Sequence, residues 1–422
     1  MTNSNGSLER PIRMVAFIDY EHTSGGGYQQ AKNAALLLKS LPPELCAVEF
    51  VTTRRSTIDD LRRSGIEPIF FPVPRLRGLA ARLGSIYSRG GPRAFLRKPG
   101  KMASVDRLLS VMRADIAYFT TPSHLALAID RFNYLFTVWD LAHRDDVEFP
   151  EVRIKHEFER REFLYGSALK KACGIFVDSQ AGREKVVRRY GVDSERVHLM
   201  PFSPARATVL SEEAYVEHFV DVKTKYKIPR DLKYVYYPAQ FWAHKNHVFL
   251  LKGLHALESR YGIRVGAVFT GSDFGNMRYV RSVAADLGLG DRVFFLGFVP
   301  DGDVPYLYRE SVALVMPTYF GPTNLPPLEA FSLGVPVLYP DLEALREQVG
   351  DAGLLVDLAR PDSMADALFS LIDQPALRQL MIERGTRRLA SNDDAARLST
   401  LQRVLERYRT RAVCWGEEVW MN

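Results

Sequence analysis

The stretch VALVMPTYFGPTNLPPLEAFSLGVPVLYP, from Val312 to Pro340, holds two apolar runs separated by a turn that contains a proline pair. VALVMPT and PVLYP have the uninterrupted apolar character of strands buried on both faces. Pro326 and Pro327 suit the first turn of a helix, where a missing backbone N–H costs nothing. The stretch predicts a strand, a helix that begins near Glu329, and a second strand, which is the unit of a helix-covered parallel sheet.

Similar apolar runs recur along the whole chain, and helical patterns separate most of them. They include MVAFIDY, CAVEFVTT and ADIAYFTT in the first half, and KYVYYPAQ, RVGAVFTG and DRVFFLGFV in the second. A polar stretch without a strand pattern, residues 204–232, indicates the crossing between two domains. We expect an α/β protein with two Rossmann-like domains, residues 1–210 and 211–400, facing each other across a deep cleft. The closing helix, about residues 400–422, is expected to pack back on the first domain.

Composition excludes several classes of protein. The chain has 422 residues, of which 46% are hydrophobic and 25% charged, as in ordinary globular proteins. It contains no apolar run long enough for a membrane-spanning helix, and its polar start lacks a secretory signal, so a cytoplasmic location is expected. Cys46, Cys173 and Cys414 have no paired spacing. We expect neither a metal site nor a cofactor.

The positive charge is concentrated in one place. The net charge is +6, and the stretch Arg75–Lys101 carries basic residues mixed with apolar ones and no acidic residue. One interpretation is a solvated loop and helix face. The other is a surface for anionic lipid at the inner face of a membrane, or for a phosphorylated acceptor. No recognition motif for nucleic acid accompanies the stretch, so nucleic acid is not expected as a partner.

The helix entry at Glu329 is the first candidate site. Free N–H groups at a helix N-terminus favour a phosphate, and ligands of open α/β sheets bind beyond the carboxyl ends of the strands. Glu329 could complement the helix dipole, with Thr323 or Asn324 as the cap. It could equally accept hydrogen bonds from the diol of a sugar.

The stretch NLPPLEAFSLGVPVLYPDLEALREQVGDAGLLVD is similar to the carboxy-terminal signature of the retaining, family-4 glycosyltransferases, which have the GT-B fold. The resemblance extends back through VFTGSD and YPAQFWAHKNHVFLLKGL and covers the second half of the chain. The first half resembles the family more loosely, through TSGGGYQQAKN and TVWDLAHRDDVEFPE. The segments YPAQFWAHKNH and FGPTNLPPLEA are similar to those of bacterial members that build polysaccharides.

The resemblance implies a donor site around Glu329, which would bind the ribose hydroxyls of a nucleotide sugar. A second glutamate of the family usually stands eight residues earlier, where this chain has Gly321. Contacts to the donor sugar would then come from Thr323 or Asn324, or from backbone N–H groups between Gly321 and Leu325. The permissive backbone of glycine would allow such a close approach.

The motif AQFWAHKNH contains a lysine that could bind the phosphates of a ligand. Lys245 is a compact cation that can neutralise a diphosphate, with Asn246 as helix cap, although a plain surface lysine is the alternative. The resemblance places the diphosphate-binding lysine of the family at Lys245. The usual arginine five residues upstream is replaced by Gln240. The resemblance also makes the backbone around Phe298 and Val299 a cradle for the nucleobase.

Two motifs of the first half complete the candidate site. The resemblance puts Gly26 and Gly27 against the donor diphosphate, and a tight turn is the alternative. A histidine that contacts the donor sugar in the family is replaced here by Trp139. His143 is a candidate for substrate contact or proton handling, with Asp140 as its orienting partner. A structural histidine is the alternative.

These features predict a metal-independent, retaining hexosyltransferase that uses a guanosine- or uridine-diphosphate sugar, with GDP-mannose favoured. The expected acceptor is a glycan or a lipid-linked oligosaccharide in polysaccharide biosynthesis, such as that of lipopolysaccharide. The candidates for catalysis are His143, Asp140, Lys245 and Glu329. The replacements at Gln240, Gly321 and Trp139 motivate an alternative, a non-catalytic protein that binds nucleotide sugars or glycans.

Overall fold

The described residues cluster into two compact units. The computed structural model describes residues 10–21, 25–72, 104–209, 211–321, 323–390 and 394–415. The first unit takes the described residues within Met1–Val147, Val152–Pro201 and Asp394–Asn422, and the second takes those within Glu148–Glu151 and Phe202–Asp393.

The first unit is built on a parallel sheet. Its strands in the described residues are β1 Ile12–Ile18, β2 Cys46–Thr52, β3 Pro68–Phe70, β4 Ile116–Phe119, β5 Asn133–Thr137, β6 Gly174–Val177 and β7 Val197–Leu199. They follow the order β3-β2-β1-β4-β5-β6-β7, and every pair is parallel. Val15 and Phe17 of β1 belong to one buried apolar cluster, and Met14 and Ala16 to another. Because successive side chains of a strand point to opposite faces, both faces of this sheet are covered.

Helices flank this sheet. The described helices of the first unit that precede Phe202 are α1 Gly26–Leu38, α2 Ile58–Arg63, α3 Ser104–Val111, α4 Ala142–Asp145, α5 Glu157–Lys171 and α6 Gln180–Tyr190. Between β4 and β1 the strand order reverses, since β1 pairs with β2 on one side and with β4 on the other. Alternation of strand and helix gives the α/β class that the sequence predicts.

The second unit repeats this architecture. Its described strands are β8 Tyr234–Pro238, β9 Gly266–Thr270, β10 Val293–Gly297, β11 Leu314–Val315, β12 Val337–Pro340 and β13 Gly353–Val356. The order is β10-β9-β8-β11-β12-β13, again parallel throughout. Its helices in the same residues are α7 Glu212–Glu217, α8 Val222–Lys225, α9 His247–Tyr261, α10 Met277–Asp286, α11 Val304–Arg309, α12 Leu325–Ser332, α13 Glu343–Val349, α14 Pro361–Asp373 and α15 Pro375–Ala390.

The opening stretch forms a strand, a helix and a strand, as predicted, but the helix begins earlier than expected. Helix α12 starts at Leu325, so Pro326 and Pro327 both lie inside its first turn. A proline at these positions removes only an N–H that has no partner within the helix. Glu329 therefore lies more than one turn into α12.

The last helix, α16 Asp394–Ala412, belongs to the first unit. Leu401 and Leu405 are almost fully buried in the same apolar cluster as Met14. The hydroxyl of Tyr408 donates to the backbone oxygen of Asp115 over 2.8 Å. Helix α16 thus completes the apolar cluster on one face of the first unit's sheet.

None of the helices in the described part of the chain combines the length and the apolar composition needed to span a lipid bilayer. The basic stretch Arg75–Lys101 contributes only residues outside the described ranges. Its contact with lipid or with an acceptor stays a prediction.

Candidate functional site

The candidate site of the second unit lies at a reversal of strand order. Strands β8 and β11 are neighbours, with Leu314 opposite Tyr236. From β8 the sheet continues through β9 to β10 at one edge, and from β11 it continues through β12 to β13 at the other. In open parallel sheets, the crevice beyond the carboxyl ends of two such strands is the usual place for a ligand. The loops that follow them, residues 239–246 and 316–324, carry most of the donor-site residues predicted from the sequence.

Lys245 and Asn324 meet at this edge. The ammonium nitrogen of Lys245 donates to Asn324 Oδ1 over 3.1 Å, although 79 residues separate them in the chain. The amide group of Asn324 donates to Gly321 O and to the Tyr339 hydroxyl, each over 2.7 Å. Asn324 occupies the N-cap position of α12 but makes no side-chain cap hydrogen bond. Its side chain holds the lysine beside the helix N-terminus instead.

Gly321 permits this arrangement. Its φ is +106°, a backbone conformation that residues with a side chain rarely adopt. A Cβ at this position would lie 2.8 Å from Asn324 Oδ1. A glutamate in place of Gly321 would therefore strain the backbone and displace the amide that contacts Lys245. The Lys245–Asn324 hydrogen bond therefore depends on a glycine at position 321.

Glu329 is a buried carboxylate with a raised pKa. Only 8% of the residue is exposed, and its Oε2 accepts a hydrogen bond from the Tyr308 hydroxyl over 2.8 Å. Burial, with a smaller contribution from the negative charge of Asp301, raises the pKa of Glu329 to about 7. The hydrogen bonds from Tyr308 and from the backbone of Ala205 act in the opposite direction. Near neutral pH this carboxyl group can exist in either protonation state.

Gln240 and Asn246 flank the lysine in different ways. Gln240 Oε1 accepts from the indole nitrogen of Trp242 over 3.0 Å, and Trp242 stacks on Phe274 with ring centroids 4.2 Å apart. Gln240 thus orients an aromatic pair instead of supplying the missing arginine charge. Asn246 has a φ of +52°, and its Oδ1 caps α9 by accepting from Phe249 N over 3.3 Å. The cap predicted from the sequence is therefore formed here.

Four other predicted donor contacts lie at the same edge of the sheet. Phe298 and Val299 directly follow β10, and Phe298 is 58% exposed while Val299 is buried. An exposed aromatic ring at this place is compatible with a base-binding surface. Thr323 and Leu325 flank Asn324 at the start of α12, where Leu325 is the first helical residue.

His143 and Asp140 lie in the first unit, and His143 is inaccessible. The residue is 0% exposed, and its Nε2 contacts Glu162 Oε1 at 2.8 Å and the Tyr190 hydroxyl at 3.2 Å. Burial lowers the pKa of His143, and the hydrogen bond to Glu162 only partly opposes this. These contacts fit the structural alternative for His143. Asp140 accepts hydrogen bonds from Ala142 N over 2.9 Å and from Arg161 over 2.6 Å.

Gly26 and Gly27 open α1. A Cβ on Gly27 would lie 2.6 Å from Tyr20 Cε1 and 3.0 Å from Trp139 Cη2. Tyr20 and Trp139 pack edge to face with ring centroids 5.0 Å apart. The aromatic pair alone therefore requires a glycine at position 27, independently of any phosphate. Gly26 is the first residue of the helix and is exposed.

Sequence reasoning missed Glu151, which contacts His244 beside Lys245. Oε1 of Glu151 accepts from His244 N over 2.8 Å and also contacts His244 Nδ1. The two residues are 93 positions apart. The stretch TVWDLAHRDDVEFPE contains Glu151, but no local pattern indicates which of its carboxylates would reach the lysine loop.

Comparison with known proteins relates the second unit to a glycosyltransferase family. Residues 221–388 match the family of glycosyl transferases group 1. O-antigen chain mannosyltransferase B of Escherichia coli is 25% identical over 315 residues, which cover 69% of this chain and 76% of that protein. O-antigen chain mannosyltransferase RfbU of Salmonella typhimurium is 22% identical over 54% of this chain and 58% of that protein. Residues 221–388 thus form a glycosyltransferase group 1 domain, which agrees with the glycosyltransferase resemblance of the second half.

A solved structure extends the similarity to the whole fold. WaaG, a glycosyltransferase involved in lipopolysaccharide biosynthesis, has a TM-score of 0.65 with 15% sequence identity. The superposition covers 93% of this chain and 99% of that one. The two-unit α/β fold is that of the GT-B glycosyltransferases, which confirms the predicted fold class.

Proposed function

We propose that this chain, whose second unit carries a glycosyltransferase group 1 domain, is a retaining glycosyltransferase of family 4. It moves a hexose from a nucleoside-diphosphate sugar to a glycan or a lipid-linked oligosaccharide during polysaccharide biosynthesis. One observation carries the proposal. Lys245 and Asn324 meet over 3.1 Å at the N-terminus of the helix that bears Glu329, beyond the carboxyl ends of β8 and β11.

The charges of this edge suit a nucleotide sugar. Lys245 neutralises the diphosphate, and the positive end of the α12 dipole adds positive potential. Glu329 accepts hydrogen bonds from the ribose hydroxyls, and a charge-assisted bond of this kind contributes about 1.5–3 kcal/mol. As the bond between the sugar and the diphosphate breaks, Lys245 and the helix dipole stabilise the negative charge that develops on the leaving diphosphate. No metal ion takes part in this scheme.

The donor sugar is proposed to be mannose, carried by GDP. Two relatives are named as O-antigen mannosyltransferases, which supports this choice. Because Gly321 stands where the family has a glutamate, the sugar would be contacted by Thr323, by Asn324 or by backbone N–H groups between Gly321 and Leu325. A purified sample tested with GDP-mannose, UDP-glucose and UDP-galactose discriminates the donors by the rate of nucleoside-diphosphate release.

We further propose transfer with retention by front-face attack, in which the departing diphosphate accepts the proton of the acceptor hydroxyl. This scheme needs no carboxylate nucleophile. NMR of the purified product reports its anomeric configuration. An inverted product would overturn the retaining mechanism.

The alternative is a non-catalytic protein that binds nucleotide sugars or glycans, and the replacements at Gln240, Gly321 and Trp139 favour it. The lysine and the carboxylate of the site favour catalysis. The two functions predict the same affinity but different turnover. Binding of GDP-mannose without release of GDP or transfer to any polysaccharide acceptor would support the alternative.

Variants at Lys245 test the site itself. Lys245→Ala should weaken nucleoside-diphosphate binding at least tenfold, because hydrogen bonds to charged groups contribute about 1.5–3 kcal/mol. Lys252→Ala, at an exposed position of α9, removes the same charge seven residues along the chain and is the matched control. Equal affinities for the two variants would refute the donor site proposed here.

A further inference from the structure

A carboxylate from a distant part of the sequence supports the loop that carries Lys245. The segment Glu148–Glu151 clusters with the second unit, although the residues on either side of it in the chain belong to the first. The side chains of Glu151 and His244 are 7% and 10% exposed. A carboxylate buried to this extent is stable only when charged or polar groups satisfy it.

Glu151 contacts two nitrogen atoms of His244. A single oxygen, Oε1, accepts from the backbone nitrogen of His244 over 2.8 Å and contacts ring nitrogen Nδ1. Burial acts to raise the pKa of Glu151, but the hydrogen bonds from the ring and backbone of His244 outweigh it and hold the pKa below its ordinary value. An ionised carboxylate can only accept, so Nδ1 carries the proton. Both the main chain and the ring orientation of His244 are thereby fixed.

The fixed imidazole joins two loops of the donor site. Its ring stacks on Phe320, with centroids 3.8 Å apart and planes inclined by 13°. Phe149, from the same segment as Glu151, packs on Tyr319 and Phe320 at 5.3 and 5.5 Å. The backbone oxygen of His244 accepts from Tyr319 N over 2.9 Å. These contacts hold residues 239–246 against residues 316–321.

The pair is not a fully satisfied structural ion pair. Within the described ranges, Oε2 of Glu151 is buried and accepts no hydrogen bond from another residue. Leaving a buried carboxylate oxygen in this state disfavours the folded protein. What the carboxylate does supply is a charged acceptor for His244, the residue immediately before Lys245.

We propose that Glu151 is a positioning residue of the donor site. Acting through His244, it holds the loop of Lys245 against the loop of Gly321, so that the ammonium group and the start of α12 converge on one diphosphate. The nucleoside diphosphate in this inference rests on the proposed function, whereas the contacts between the two loops do not depend on it. Glu151 touches no donor atom in this scheme.

Three variants test the role of Glu151. Glu151→Ala removes both hydrogen bonds, and Glu151→Gln keeps a carbonyl oxygen of the same reach that can accept them. Glu148→Ala removes the same charge from an exposed position of the same segment and is the matched control. The dissociation constants of GDP and UDP are measured by calorimetry, and amide hydrogen exchange is measured for residues 239–246 and 316–321.

Glu151→Ala should weaken binding of the nucleoside diphosphate about tenfold and speed exchange in both loops. Glu151→Gln should restore most of the affinity, to within about threefold of the wild type, and Glu148→Ala should match the wild type. If Glu151 only stabilised the fold, the folded Glu151→Ala and Glu151→Gln variants would bind the nucleoside diphosphate equally well. Equal dissociation constants for folded Glu151→Ala and wild type would overturn the proposal.

The two measurements separate the possible failures. If the wild type binds neither GDP nor UDP, the proposed function fails, and the exchange data alone decide on the positioning role. Faster exchange in both loops of Glu151→Ala would then support it, and unchanged exchange would overturn it. If Glu151→Ala does not fold, Glu151→Asp takes its place with the same expected losses, because it keeps the charge but shortens the reach by one methylene group.

Discussion

Replacing Glu329 by glutamine should change how the stability of the protein depends on pH. The carboxyl group has an ordinary pKa of 4.5, and burial raises it to about 7 in the folded chain. The folded state therefore binds the proton more tightly than the unfolded state between these two values. By linkage, the free energy of unfolding falls as the pH rises through this window and levels off above about pH 7. The amide of glutamine cannot ionise, so the variant should lack this fall.

The magnitude follows from the two pKa values. A difference of about 2.5 between them corresponds to about 3 kcal/mol, since one pKa unit is worth about 1.4 kcal/mol. Part of this loss has already occurred at pH 5, which lies above the unfolded pKa. Between pH 5 and pH 8 the wild type should therefore lose about 2 to 3 kcal/mol that Glu329→Gln retains. The Tyr308 hydroxyl can still donate to the carbonyl oxygen of glutamine, which keeps the packing similar.

Urea denaturation at pH 5 and pH 8 measures this difference. Each free energy of unfolding is compared between wild type and Glu329→Gln at the same pH, so that all other titrating groups cancel. Glu383→Gln, at an exposed position of α15, controls for the loss of one negative charge. If the difference between wild type and Glu329→Gln is the same at both pH values, the pKa of Glu329 is not raised and the reasoning is refuted.

Three further variants test other parts of the structure. Gly321→Ala should lower stability by about 1–3 kcal/mol, because its positive φ is strained for alanine and the Cβ would press on Asn324; thermal melting checks this. Tyr308→Phe removes a hydrogen bond that favours the ionised form of Glu329, so the midpoint of its carboxyl titration, followed by NMR, should move to higher pH. Leu405→Ala should cost about 2–5 kcal/mol, because the residue is fully buried in the first unit; urea denaturation of the variant measures this. An unchanged melting temperature, titration midpoint or unfolding free energy would contradict the respective expectation.

The strands and helices of this chain could be predicted from the sequence. Runs such as VALVMPT and KYVYYPAQ are apolar without interruption, and only strands covered on both faces bury every side chain of such a run. The start of α12 does not follow from the sequence in the same way, since a proline pair fits several positions of a first turn. The helix begins at Leu325, whereas the sequence predicted a start near Glu329.

The neighbours of Lys245 could not be predicted in the same way. The sequence shows a lysine after a strand and an asparagine before a helix, but not that 79 residues of chain bring them within 3.1 Å. His143 illustrates the opposite case. Its type and motif allow either proton handling or a structural role, and its burial against Glu162 and Tyr190 fits the structural role.

The alternation of strand and helix, the proline-marked entry of α12 and the residue types of the proposed donor site all follow from the amino-acid sequence. These features depend on side-chain periodicity and backbone preference, which are local. The tertiary structure decided that Glu151 reaches His244 and that burial raises the pKa of Glu329 to about 7. Both depend on which distant groups the folded sheet brings together and on how far they exclude water, and neither quantity is encoded in a local pattern.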